Sequence, residues 1–393
     1  MTTTSATTAL GTVVDLIMGQ APPSKDCNFD RRGTPFVKVG EFGEARPVIQ
    51  EWTTNPLRTA RRTDVLLCVV GATCGKVNLG EECAIGRSVA AIRPHPEKLD
   101  QFYLYYFMTT LVERLRSGSM GAAQTVISKN MVETVQIPLL PLSEQQRIVG
   151  ILDQAFESIT IAKANTEKNL QNARALFESY LQSVFTQHRK NWAATTLEKV
   201  LDVQPQNGWS PPAANHSDSG TPVLTLSSVT GFRFRPDKIK FTSAATDPTK
   251  NYWVKNGDFL ITRSNTPELV GHVAIASGIN TPTMYPDLIM RMRPSSDRVM
   301  TEFLYFQMRT RALRKEITGR AQGANPTMKK ISNGAVKTLP IVVPPMSTQQ
   351  GTVEALNALN QETERLASIY NRKLAALDAL KKSLLNQAFT GKL

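Results

Sequence analysis

Between positions 148 and 184 the apolar residues fall on one helical stripe: Ile148, Leu152, Ala155, Ile159, Ala162, Thr166, Leu170, Ala173, Phe177, Tyr180 and Val184. The spacing alternates four and three, with one place where two fours adjoin, which describes a heptad seam carrying a single stutter. A second stripe runs through Leu356, Leu359, Thr363, Leu366, Tyr370, Leu374, Leu377, Leu384 and Ala388. Lys381 breaks it, which reads as a frayed or partner-facing turn. Prolines at 141 and at 344 and 345 sit just before the stripes, where they cannot interrupt a helix. The pairs Ser143/Gln146 and Ser347/Gln350 have capping-box spacing, with the hydroxyl accepting from the third helical amide and the amide side chain returning to the cap. About 40 helical residues reach roughly 60 Å, longer than a small domain is wide. Two such helices in one chain are expected to bury their seams against each other as an antiparallel pair, at about 25 cal/mol per Å².

The rest of the chain carries short apolar runs broken by Gly, Pro and Asn. Runs at 65–70 and 259–262 predict buried strands by their length and flanking turn residues. Helical stretches follow at 99–116 and 301–318, then Gly/Ala/Gln-rich loops, then Pro-bounded strands at 135–140 and 336–343. This doubled order is matched residue by residue. Pro141-Leu142-Ser143-Glu144-Gln145-Gln146 corresponds to Pro345-Met346-Ser347-Thr348-Gln349-Gln350, and Phe185-Thr186 to Phe389-Thr390 at the same separation. Upstream the separation drifts, as loops permit: Arg93-Pro94 matches Arg293-Pro294, Gly75-Lys76-Val77 matches Gly271-His272-Val273, and Asp64 matches Asp258. A period near half the chain is far longer than a solenoid repeat. One two-part module is used twice, giving segments 1–141, 142–189, 190–345 and 346–393.

Hydrophobic content of 41% and charged content of 20% fit globular domains, and the net charge of +13 favours a polyanionic partner, nucleic acid above all. Nothing reads as a signal peptide or a membrane span, so a cytoplasmic protein is expected. Cys27, Cys68, Cys74 and Cys83 lack paired zinc spacing and read as reduced, packed thiols. The histidines His95, His188, His216 and His272 are scattered, and no P-loop or dinucleotide-binding turn is present. Asp64 and Asp258 precede strands in both modules; they read as turn aspartates ahead of a paired-carboxylate nuclease centre. Two similar units in one chain suit the reading of two short sites at fixed separation, whose halves need not be palindromic because the units have diverged.

The order of a variable domain, a Pro-x-Ser-x-Gln-Gln helix, a second variable domain and a second helix ending Ala388-Phe389-Thr390-Gly391 resembles the specificity subunit of type I restriction–modification systems. The run Gly257-Asp258-Phe259-Leu260-Ile261-Thr262-Arg263-Ser264 and the triplet Gly271-His272-Val273 match its target-recognition domains. Val69-Val70-Gly71 in the first module departs from the polar Thr-Arg-Ser run. The resemblance implies an α/β plus long-α fold: two α/β target-recognition domains separated by two long antiparallel coiled-coil helices, a pseudo-twofold internal repeat. It implies a non-catalytic reader of a bipartite, asymmetric site on double-stranded DNA, bound to two DNA methyltransferase subunits and two restriction motor-nuclease subunits. S-adenosylmethionine, ATP and Mg²⁺ would belong to those partners, with no cofactor or metal in this chain. A standalone nuclease and a structural scaffold are the competing readings.

Two loops per module are the candidate DNA contacts. In the first they supply Lys76, Arg87, Ser88, Gln124, Thr125, Ser128 and Lys129; in the second, Arg263, Ser264, Asn265, Gln322, Asn325, Lys329 and Lys330. Arg bonds guanine bidentately, Asn or Gln bonds adenine, and Ser, Thr and Lys suit phosphates or base edges.

Overall fold

The computed structural model describes residues 7–117, 126–187, 192–325 and 327–393. The chain divides into two compact units, one of residues 1–168 with 370–393, the other of 169–369. Each long helix therefore contributes to both units.

In the first unit a four-stranded antiparallel sheet runs in the order Val14–Met18, Val89–Pro94, Val65–Cys68, Val77–Leu79. A five-stranded sheet lies behind it, ordered Cys27–Asn28, Glu51–Thr53, Thr34–Val37, Cys83–Ile85, Thr59–Ala60, with its third and fourth strands parallel. The run at 65–68 is apolar throughout because both of its faces are covered. Strand side chains alternate between faces. Val65 and Leu67 therefore join Tyr103, Leu104 and Met108 on the helical side, while Leu66 and Cys68 join Val37 and Ile85 on the other.

The second unit repeats the plan. Its four-stranded sheet is Leu201–Asn207, Ile289–Pro294, Phe259–Thr262, Val273–Ile275, and Val223 again pairs in parallel with Met284 in the sheet behind. Phe259 and Ile261 face the helices; Leu260 faces the second sheet.

The helices are α1 (Gln101–Thr110), α2 (Val112–Ser117), α3 (Lys129–Glu133) and α4 (Leu142–Gln187), then α5 (Thr301–Arg309), α6 (Arg311–Arg320), α7 (Asn333–Lys337) and α8 (Met346–Phe389). Each stretch expected as one helix at 99–116 and 301–318 is broken into two. Asp100 caps α1 by accepting from the amides of Phe102 and Tyr103, and Thr310 caps α6 by accepting from Leu313. The strand expected at 336–343 begins only at Pro340, because Ser332 caps the short helix α7 ahead of it.

Within the first unit α4 and α8 run antiparallel. Arg147 donates to the Leu393 carbonyl at 2.9 Å, the Lys381 ammonium lies 4.9 Å from the centre of the Phe156 ring, and Lys163 meets Asp378 at 2.8 Å. Lys381 thus stays on the seam by covering an aromatic face, a cation–π contact, instead of fraying. In the second unit Phe177, Leu181 and Phe185 of α4 share a core with Val353 and Leu356 of α8. The stripe drifts there: Leu181 is buried while Tyr180 is 38% exposed, because 3.6 residues per turn slips against a strict heptad.

The expected capping boxes are replaced by a different tie. Both helices start one residue before the serine, at Leu142 and Met346. The buried Gln145 amide donates to the carbonyls of Lys98 and Leu140 at 2.8 Å and accepts from the Asp100 amide at 2.9 Å. Gln349 repeats this with the carbonyls of Arg298 (3.0 Å) and Pro344 (2.9 Å) and the Met300 amide (2.8 Å). One glutamine per module locks the start of a long helix to the start of the preceding helical stretch.

Candidate nucleic-acid interface

Three chain segments of the first unit meet just past the strand Val65–Cys68. The Val69 amide donates to the Ser88 carbonyl at 2.8 Å, the Val69 carbonyl accepts from the Ile127 amide at 2.9 Å, and Val70 forms an antiparallel bridge with Val126. The second unit makes the same bonds. The Arg263 amide donates to the Leu288 carbonyl at 2.8 Å, its carbonyl accepts from the Ile331 amide at 2.9 Å, and Ser264–Asn265 pairs antiparallel with Lys329–Lys330. The two loops selected from sequence thus converge in each unit. Main-chain bonds hold both corners, so the frame does not depend on which side chains it carries.

The side chains differ. At the first corner Arg87 is exposed and makes no hydrogen bond or ion pair among the described residues. Lys129 is exposed and meets Glu133 at 3.4 Å; Ser128 caps α3, its hydroxyl accepting from the Met131 amide at 3.3 Å. Ser88 is half-buried and contributes its carbonyl to the frame. Lys76 is exposed, with its ammonium donating to the Phe42 carbonyl at 2.7 Å. Gln124 and Thr125 lie outside the described residues.

At the second corner the Arg263 guanidinium donates to the Asp287 carbonyl at 3.3 Å and lies 4.0 Å from its carboxylate, which leaves Arg263 about a third exposed. Asn265 donates to the Thr230 hydroxyl at 3.3 Å. Gln322 and Lys330 are exposed and cross-bonded through their main chains. Asn325 closes a turn by accepting from the Thr327 amide and hydroxyl, and Lys329 donates to the Gly323 carbonyl at 2.8 Å. Ser264 is a correction: at 1% exposure it is packed beneath the corner, because its strand position points inward. The Ser264 hydroxyl and the Arg263 Nε are both buried without a hydrogen-bond partner.

Asp64 and Asp258 are structural. Arg93 grips Asp64 bidentately, with two bonds of 2.9 Å, and Asp64 also accepts from the Arg61 amide. Asp258 takes Arg293 at 2.8 Å, Arg291 at 3.5 Å and the Lys255 amide at 2.8 Å. These buried carboxylates, each saturated by arginine and a turn amide, leave no free oxygen pair for metal-assisted chemistry. Among the described residues no three His, Cys, Asp or Glu side chains come together as a metal site.

The sequence reading missed a buttress behind the second corner. Phe232 adopts a left-handed backbone (φ 58°) and stacks on His272 with ring centres 4.0 Å apart. Tyr305 donates to the Phe232 carbonyl at 2.6 Å, and Arg309 lies over Phe177, Tyr305 and Phe232 while meeting Glu178 at 3.4 Å. The Gly231 amide donates to His272 Nδ1 at 2.9 Å. Burial, helped by the nearby Arg314 and Arg309 charges, pushes the His272 pKa down to about 4, so the ring is neutral and can accept. Lys76 and His272, matched in the repeat, thus do one job with opposite polarity: each ties its corner to the loop at 42 or 231. Only the Gly-x-Val frame around them hinted at this.

No helix of the described residues is long and apolar enough to cross a membrane. Two stretches, 4–172 and 189–371, match the family described as the type I restriction modification DNA specificity domain. Among curated relatives, a putative MjaX specificity subunit of Methanocaldococcus jannaschii is 32% identical over 40% of this chain and 37% of its own length. The Escherichia coli EcoKI specificity subunit is 24% identical over 93% of this chain and 80% of its own. Among solved structures, a chain from a study of type I restriction–modification complex assembly and conformational transition superposes with a TM-score of 0.80 at 20% identity, covering 99% of this chain and 98% of that one. The HsdS subunit of Thermoanaerobacter tengcongensis gives 0.62 at 20% identity, covering 99% and 97%. These likenesses in fold agree with the doubled frame and the two long helices, and the matched stretches take in most of the sequence: the chain belongs to the type I restriction–modification DNA specificity family.

Proposed function

We propose that this chain is the non-catalytic DNA-reading subunit of a cytoplasmic type I restriction–modification complex, each unit reading one half of a bipartite, asymmetric site. The observation that carries this is the same three-segment frame built twice in one polypeptide with different side chains on it. Arg263, steadied by Asp287, suits a guanine edge or a phosphate; Arg87, Gln322 and Lys330 offer free donors beside the two frames, and Lys129, which meets Glu133, is exposed beside the first. The net charge of +13 supports a polyanionic ligand. Two methyltransferase subunits and two motor-nuclease subunits would supply catalysis, bringing S-adenosylmethionine, ATP and Mg²⁺ with them; the saturated state of Asp64 and Asp258 is in keeping with chemistry performed elsewhere.

The test is a genome-wide map of methyladenine in cells expressing the partner methyltransferase with and without this chain. Methylation at one bipartite motif, two short blocks around a fixed gap, appearing only with the chain is the expected result. Methylation unchanged by its absence, or cleavage by the purified chain alone, overturns the proposal and favours the scaffold or the nuclease respectively.

A further inference from the structure

The first corner is apolar where the second is polar. Val69 and Val70 stand at the frame positions that Arg263 and Ser264 hold, and Val126 faces Val70 where Lys330 faces Ser264. Val126 is 39% exposed and Val70 half-buried, so the bridged pair presents methyl groups to solvent at the point where the loops converge.

Cationic residues flank that patch along the chain, with Lys129 meeting Glu133 at 3.4 Å. Arg87 is one residue from Ser88, whose carbonyl holds the Val69 amide, and Lys129 is three residues from Val126. An apolar protein surface seated on the valines would strip water from the exposed Arg87 guanidinium without replacing it. A nucleic-acid groove meets both demands, since phosphates flank it and its floor carries one apolar group, the 5-methyl of thymine.

We infer that the first unit reads its half-site through a methyl contact, Val70 and Val126 packing against the 5-methyl group of a thymine in the major groove. The two units then read by different chemistry: methyl packing in one, donor hydrogen bonds in the other. This rests on the DNA-reading function proposed above.

The test uses the intact complex with its methyltransferase and duplexes carrying the mapped site, with deoxyuridine replacing thymine one position at a time and Kd read by fluorescence anisotropy. Where Arg263→Ala relaxes base preference in one half, that half belongs to the second unit; where it weakens all sequences alike, the thymines of both halves are scanned. In the other half, one thymine-to-uracil change should weaken binding about three- to tenfold, near the worth of one buried methyl. Val126→Ser should bind the two duplexes equally, and Val126→Ile should keep the preference. Val126 is exposed enough for serine to be tolerated. A half-site without thymine, no uracil-sensitive position, or a uracil penalty that survives Val126→Ser combined with Val70→Ser overturns the inference. A complex with no sequence preference at all, in which Arg263→Ala is also silent, overturns the DNA-reading function itself.

Discussion

The two units share a backbone and differ in what they hang on it. The corner at Val69 and the corner at Arg263 are closed by equivalent main-chain bonds, 2.8 Å to one segment and 2.9 Å to another. Behind the first, Lys76 donates to a carbonyl; behind the second, neutral His272 accepts from an amide. Beneath each, a buried aspartate is gripped by arginine. The lesson is a division of labour. Main-chain bonds and buried ion pairs fix the geometry, which leaves the side chains at the corner free to change without refolding the unit, as a reader of variable sequences requires.

The largest effect that should test the shared part comes from the buried carboxylates. Asp64→Ala strands the largely buried Arg93, and Asp258→Ala the largely buried Arg291, and each is expected to cost about 3–5 kcal/mol in the affected unit, measured by urea unfolding. If Asp258→Ala proves mild while Asp64→Ala is severe, the half-exposed Arg293 is being rescued by water, and the two supports are less alike than their geometry.

His272 sharpens the difference. Its folded pKa, about 4, lies below the ordinary value of 6.5 because the ring is buried. The unfolded chain therefore binds the extra proton first as pH falls. The stabilisation is complete above pH 6.5 and is lost on going down toward pH 4, by about 3 kcal/mol at most. Denaturation of the second unit across that window should show the loss, and His272→Phe should flatten it. An equal loss in His272→Phe would assign the acid sensitivity to other groups.

Gln145→Ala and Gln349→Ala test the shared tie at the helix starts. Each removes three hydrogen bonds from a buried amide and should cost about 2 kcal/mol, nearly equal in the two units. The smallest effect concerns recognition. Arg263→Ala should leave folding intact and cost about 1–2 kcal/mol at one base pair of one half-site, read from methylation maps or binding to single-substitution duplexes. A uniform loss across all sequences, with a shallower salt dependence, would make Arg263 a phosphate contact instead.

Much of the fold was legible because it is periodic. A seam recurring every three or four residues, the all-apolar run at 65–68 and the matched Arg93/Arg293 and Asp64/Asp258 positions follow from packing constraints that any segment shows by itself. The candidate loops were legible as Gly-rich, polar segments, and they do converge. Within them the side chains sorted by tertiary placement: Ser264 is buried, Lys76 and Lys329 bond to main-chain carbonyls, Ser128 caps a helix, and Arg87 and Lys330 stay free.

What the sequence determined by itself was the duplication, the two long helices and the excess of positive charge, since each is a property of residue order or a sum over residues. Only the tertiary structure decided that Gln145 and Gln349, each one residue before the glutamine of the expected capping pair, would tie down the helix starts. It also decided that Lys381 would cover Phe156, and that Phe232, His272 and Arg309 would buttress the second corner. Those outcomes depend on groups far apart in sequence, such as Gln145 and Lys98 or Phe232 and His272, meeting within a few ångströms, and no local pattern encodes which buried donor will find which acceptor.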